Sequence, residues 1–187
     1  MNFCSRCGKP VQLLVPEGDD RKRHVCSVCG HIHYQNPHII TGCLPRASDG
    51  RILLCRRAIE PRLGYWTLPS GFMENGETLE EGALRETWEE ASARCRIVRM
   101  FVSFSLAHVS QIYFLFLADM ESDTFSTTPE SSEVALFREE EIPWNELAFR
   151  PVEFALRQYF DPAHAEYEGV HRGEFRRVPG DPWLLGS

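Results

Sequence analysis

The chain has 187 residues, 43% of them hydrophobic, with 20 lysines and arginines against 27 aspartates and glutamates. A formal net charge of −7 sets most of its surface against polyanions, and no apolar run approaches the ~20 residues that a membrane-spanning helix needs. Those two facts set aside membrane-spanning and dedicated nucleic-acid-binding proteins; the length suits one core domain plus a small metal-stapled module.

In chain order, the first feature is a pair of knuckles. Cys4-x2-Cys7 and Cys26-x2-Cys29 are separated by 18 residues, a spacing that suits four thiolates around one zinc ion. Zinc favours tetrahedral sulfur, and four thiolates leave no open position, so the expected role is structural. Gly8 and Gly30 each follow the second cysteine of a pair, where a tight turn must bring backbone N–H groups near sulfur. A redox reading of either pair and a disulfide framework are weaker. The total of seven cysteines is odd, and no signal peptide implies an oxidising compartment. Cys43, Cys55 and Cys95 read as buried thiols of a reduced, cytoplasmic chain. The basic run Arg21-Lys22-Arg23-His24 follows Glu17-Gly18-Asp19-Asp20 and reads as a hairpin tip of mixed charge rather than a nucleic-acid patch.

Asn36-Pro37 divides a module over residues 1–36 from a main domain over 37–161. Ile39–Leu44 and Arg51–Arg57 read as strands joined by a turn around Ser48-Asp49-Gly50. Tyr65-Trp66-Thr67-Leu68-Pro69 leads into a turn-rich acidic loop, Gly71-Phe72-Met73-Glu74-Asn75-Gly76-Glu77. Thr78 followed by Glu81 is a capping box and starts a helix. On that helix Glu86, Glu89 and Glu90 share one face, while Leu84, Trp88 and Ala91 lie roughly opposite and are expected to pack inward. Glu86 and Glu90 are a like-charged i,i+4 pair that costs an isolated helix a few tenths of a kcal/mol, a cost a bound cation removes. Arg96–Leu106 and Gln111–Ala118 read as a hairpin, Met120–Ser132 as a polar loop, and Glu133–Arg138 as a further strand. Pro151 opens a second helix to about Phe160, and residues 162–187 read as an extended tail.

The run from Gly71 to Ala93 resembles the box of the Nudix hydrolases, G-x5-E-x7-R-E-U-x-E-E-x-G-U, at Gly71, Glu77, Arg85, Glu86, Glu89 and Glu90. Thr87 and Ala93 replace bulky aliphatics, and Ser92 stands where the pattern has glycine. A left-handed helix end there costs a non-glycine residue roughly 1 kcal/mol. The resemblance implies an α/β/α sandwich with a mixed sheet, preceded by the zinc ribbon. It also implies that Glu86, Glu89, Glu90 and the Gly71 carbonyl hold Mg2+ or Mn2+, with Glu89 and Glu90 catalytic. Glu77 and Arg85 would brace the box. The reaction implied is attack of water on a diphosphate that joins a nucleoside to another group.

Substrate choice is read from the rest of the chain. NADH pyrophosphatases join the same two modules and carry a Ser-Gln-Pro-Trp-Pro-Phe-Pro stretch. Here the region reads Ser103-Phe104-Ser105-Leu106-Ala107-His108-Val109-Ser110-Gln111. Tyr34-Gln35-Asn36-Pro37, Gly42-Cys43-Leu44 and Gly64 to Phe72 instead resemble zinc-ribbon Nudix proteins typified by the plant plastid FAD and ADP-ribose pyrophosphohydrolases. The expected substrate is therefore FAD or ADP-ribose, with NADH or another dinucleotide as the alternative. A ribbon–Nudix module that binds nucleotide or RNA without turnover is the non-enzymatic one. Tyr65, Trp66 and Tyr113, with Phe72, are candidate surfaces for an adenine or flavin ring. Glu133, at the end of the polar loop, is the candidate general base, with Glu130 close by. Expected partners are a small nucleotide and, as the assembly left open, a second copy of the chain.

Overall fold

A computed structural model describes residues 1–176, which fall into two compact units, Met1–Pro37 and the chain from His38 onward. The first unit is a three-stranded antiparallel sheet in the order β1 (Val11–Leu14), β2 (Arg23–Cys26), β3 (Ile32–His33). Its hairpin tip has the mixed charge read from the sequence. Arg23 Nε donates to Asp19 Oδ2 at 2.9 Å, and that guanidinium holds the Asp19 carboxyl down at about 2.

The second unit contains β4 (His38–Arg46), β5 (Ile52–Arg57), β6 (Trp66–Thr67), β7 (Ser70–Phe72), α1 (Leu79–Ala91), β8 (Cys95–Leu106), β9 (Gln111–Met120), β10 (Ser131–Phe137), α2 (Arg150–Phe160) and β11 (His171–Phe175). The sheet runs β10-β5-β4-β9-β8-β11, with β6 beside β5 and β7 beside β4. It is mixed: β4 is parallel to β9 and β8 to β11, while the other pairs are antiparallel. Side chains alternate along each strand, so each face finds its own helix. Ile52 and Leu54 of β5 join Val152, Ala155 and Leu156 of α2 in one core. Leu53 and Cys55 turn the other way, toward Ala91 of α1. The result is the expected α/β/α sandwich.

One irregularity creates the site. β4 and β5 are paired at Arg46 and Ile52, then part; β4 pairs onward with β7 through Ile40–Gly42, and β5 pairs with β6 through Cys55 and Arg56. Gly42 is required at the split, because a Cβ there would collide with Pro69 O and Ser70. α1 packs against β4 and β7 beside this split.

α1 forms as read at its N-terminus: Thr78 Oγ1 accepts from Glu81 N at 3.2 Å, and Glu81 Oε2 accepts from Thr78 N at 2.8 Å. Its facing differs from expectation. The buried side is Gly82, Ala83, Glu86, Thr87, Glu90 and Ala91, while Trp88 is 47% exposed under the Arg94 guanidinium. The reason is close approach to the sheet. Thr41 Oγ1 donates to Leu79 O at 2.7 Å and Cys43 Sγ to Ala83 O at 3.4 Å, which leaves room for small side chains and none for an indole. The helix ends at Ser92 with φ 50°, the left-handed conformation the family pattern gives to glycine.

The tail also departs from an unattached strand. His171–Phe175 pairs with Val102–Leu106 of β8, and Arg99 fastens the approach by donating to Tyr167 O and Gly169 O at 2.8 and 2.7 Å. The end of the expected tail, 177–187, lies outside the described residues. Among the described residues no helix is long and apolar enough to cross a membrane.

Candidate active site and zinc site

In the ribbon, the Sγ atoms of Cys4, Cys7, Cys26 and Cys29 all lie within 4.8 Å of one another, with Cys4 to Cys29 at 3.7 Å and Cys7 to Cys26 at 3.4 Å. A tetrahedron with Zn–S bonds of about 2.3 Å has edges of about 3.8 Å, so the four sulfurs fit zinc. Gly8 and Gly30 sit at φ 69° and 70°, closing the same turn twice. Arg6 N points at Cys4 Sγ at 3.4 Å, and Cys29 N at Cys26 Sγ at 3.5 Å. N–H donation from Cys29 and then Val28 lowers the Cys26 thiol to about 6, which favours the thiolate that zinc binds.

At the split of the second sheet, Arg85 organises the acidic groups. Its Nε and Nη2 take both oxygens of Glu77 at 3.0 and 2.7 Å, and Nη2 also reaches Phe72 O at 3.2 Å. Glu77 accepts in addition from Glu74 N at 2.7 Å, so the loop before α1 is tied to the helix. Arg85, then the Glu74 N–H, holds the Glu77 carboxyl down at about 2. The remaining nitrogen, Nη1, bridges Glu86 Oε1 at 2.7 Å and Glu89 Oε2 at 2.9 Å. A guanidinium thus supplies positive charge between two of the three glutamates that share this face.

Glu90 has no such partner. It is buried, and its Oε2 accepts no hydrogen bond. Burial, reinforced by Glu86 and eased by Arg57 and the Ser70 N–H, pushes its carboxyl up to about 8. Burial also raises Glu86, with Arg85 opposing. Glu86 lies against Gly71 so closely that a Cβ on that glycine would overlap the carboxylate. Among the described residues these carboxylates do not converge as the cysteines do. A buried carboxylate with one oxygen unpartnered, beside a second carboxylate, is nonetheless a donor set that a hard divalent cation would complete.

The other expected residues divide. Glu133 begins the face that Ala135 and Phe137 continue, on the α2 side of the sheet, and pairs with Arg56 at 3.4 Å. Glu130, in the turn before β10, is the loop carboxylate whose charge acts on both Glu86 and Glu90. Trp66 and Tyr113 are 6% and 4% exposed, and Trp66 stacks edge-on against Phe137 at 4.9 Å. Both rings belong to the core, where alternation along their strands carries them inward, rather than to an open platform. Tyr65 is half-buried beside Arg62, and Phe72 is the open ring, 53% exposed and edge-on to His38 at 5.6 Å. Sequence reading did not mark Arg57, although alternation from the buried Cys55 gives its face.

Comparison with known proteins places this geometry. Residues 36–160 match the NUDIX domain and residues 2–35 the family described as Nudix N-terminal. A crystal structure of a NUDIX hydrolase from Nitrosomonas europaea is 48% identical, with a TM-score of 0.90 over 95% of this chain and 100% of that one. The NAD-capped RNA hydrolase NudC of Chromobacterium violaceum is 33% identical over 71% of this chain and 47% of its own length. That of Photobacterium profundum is 35% identical over 65% and 43%. The chain spans about half the length of these curated relatives. Their names carry NAD, in line with the dinucleotide alternative offered by the sequence and not with its first expectation of FAD or ADP-ribose. Nudix enzymes use Mg2+ or Mn2+, and the buried Glu90 beside Glu86 suits either ion. With the box, the sandwich and the ribbon all matched, the chain belongs to the Nudix hydrolase family.

Proposed function

We propose that the chain hydrolyses the diphosphate of adenine dinucleotides, NAD(H) first, giving AMP and the second nucleoside monophosphate. The single observation that carries the chemistry is the buried carboxylate of Glu90, whose Oε2 has no hydrogen-bond partner, on the same helix face as Glu86. Glu86, Glu89, Glu90 and the Gly71 carbonyl would hold the divalent cation. When bound it polarises water and neutralises charge on the phosphate oxygens. Glu77 and Arg85 keep the loop on the helix. Glu130 takes the proton of the attacking water, a role its field at Glu86 and Glu90 supports better than the position of Glu133 does. Phe72, open and next to Gly71, stacks a base or nicotinamide ring.

The NAD preference rests on the names of relatives 33% and 35% identical. FAD and ADP-ribose stay as the second reading on one specific observation. The segment Ser103–Gln111, where NADH pyrophosphatases have a proline-rich stretch, here completes β8, a 3-10 turn at Ala107–Val109 and the start of β9. The charge of −7 favours free dinucleotides over an RNA end.

AMP release from NADH, FAD and ADP-ribose, with Mn2+, Mg2+ or EDTA, tests the assignment. NADH should be cleaved most efficiently and EDTA should stop all three. In the same assay Glu130→Gln should lower kcat by orders of magnitude and Glu133→Gln only slightly. Faster cleavage of FAD or ADP-ribose would transfer the assignment to the second reading.

A further inference from the structure

We propose that His171, stacked with His164, is a proton-operated latch that holds the segment 162–175 on the edge of the sheet and releases it in acid. β11 is the last strand of the sheet. Among the described residues it pairs with β8 alone, in parallel register from His171 opposite Val102 to Phe175 opposite Leu106. Side chains fasten it at both ends. At the far end the Phe175 ring lies 4.2 Å from the Arg150 guanidinium and edge-on to His108 at 5.2 Å.

At the near end the contacts centre on His171, which is 7% exposed. Its ring meets Phe101 of β8 at 4.9 Å, Tyr167 at 4.7 Å and His164, from the 3-10 turn Pro162–His164, at 4.9 Å. His171 Nε2 and His164 Nδ1 are both buried, and neither has a hydrogen-bond partner among the described residues. A neutral imidazole fits there as one ring among four. An imidazolium brings a full charge and two N–H donors that this cluster does not satisfy.

The charges around the cluster set the direction of the switch. Arg99 of β8 is fixed beside it, donating to Tyr167 O and Gly169 O and lying 5.0 Å from the centre of the Phe101 ring. Tyr159 of α2, which also faces Phe101, spends its hydroxyl on Gly50 O. Asp161 Oδ2 is 3.8 Å from His164 Nδ1, so the one carboxylate among these groups serves His164 and not His171. Burial, then His164 and Arg99, lowers His171 from the ordinary 6.5. An imidazole lowered in the docked state contributes its stability above the ordinary value and loses it as pH falls through the window below about 6.5. Each proton taken up on release shifts that equilibrium by up to about tenfold per pH unit within the window. β8 keeps its pairing to β9 on the other side, so the segment can leave without the sheet opening.

The test is hydrogen exchange of the full chain, corrected for intrinsic rates, at about pH 5 and about pH 7.5. In wild type the protection of 171–175 should fall roughly tenfold or more at the lower pH, while α1 and β9 stay protected. His171→Phe keeps a ring that cannot be charged and should hold the segment at both pH values. The ring titration of wild-type His171 by nuclear magnetic resonance reads the same latch independently of that variant's folding, and should lie below the ordinary histidine value. Equal wild-type protection of 171–175 at both pH values overturns the proposal, as does an acid loss that persists in His171→Phe. An acid loss that spreads equally to α1 and β9 is general unfolding and overturns it too, and so does a His171 ring that titrates at or above the ordinary value.

Discussion

Glu86 packs its carboxylate onto Gly71 where a Cβ would stand. The glycine that opens the box is thus a steric requirement of a glutamate 15 positions later. Gly71→Ala should push Glu86 off its position and lower stability by about 1–3 kcal/mol, as overpacking does. Thermal melts together with AMP release check this: both should fall, and a variant with wild-type Tm and kcat would remove the constraint.

Glu90 should make the metal-free protein less stable as pH rises. Its folded-state carboxyl lies at about 8, above the ordinary 4.5. An acid raised on folding contributes full stability below its unfolded value and loses it as pH climbs through the folded one. In EDTA the Tm should therefore fall between about pH 5 and pH 8. Glu90→Gln should flatten that slope, and Mn2+ should raise the wild-type Tm more at pH 8 than at pH 5. Equal metal-free melts at both pH values would contradict the placement of this group.

Ser92 occupies a left-handed helix end at φ 50°. Ser92→Gly should stabilise the protein by about 0.5–1 kcal/mol, because glycine meets no Cβ penalty there. Denaturant unfolding measures it, and a loss of stability would mean that the serine side chain holds something the backbone does not reveal.

The ribbon should contain one zinc per chain. Elemental analysis and a strong chelator test this: zinc should leave with the fold of residues 1–37, since binding and folding are coupled in such modules. A disulfide among Cys4, Cys7, Cys26 and Cys29, or no zinc, would count against it.

Much of this architecture was legible because its signals are local. The capping box at Thr78 and Glu81, the cysteine spacing and the alternation along β4, β5, β8 and β9 all lie within single elements. The errors came from contacts between elements. Trp88 reads as a core residue in a helical pattern. Only the approach of Thr41 and Cys43 to the helix shows that small side chains must line that face and that Glu86 and Glu90 are buried with them. Trp66 looked available for a ring until Phe137, 71 residues later in the chain, was found against it. The strand His171–Phe175 has no sequence signal of its own, because its pairing is a long-range parallel one to β8. The register shift between Ser131 and Glu133 resets which side of β10 Glu133 takes, and spacing alone does not fix that.

The most direct test compares AMP formation from NADH by wild type and Glu90→Gln under saturating Mn2+, with circular dichroism confirming the fold of both. Loss of several kcal/mol of charge stabilisation corresponds to orders of magnitude in rate, at about tenfold per 1.4 kcal/mol. Wild type should release AMP only with metal, and Glu90→Gln should retain the fold with kcat lowered at least about a hundredfold. A folded Glu90→Gln protein with wild-type kcat would contradict the catalytic centre proposed for this chain.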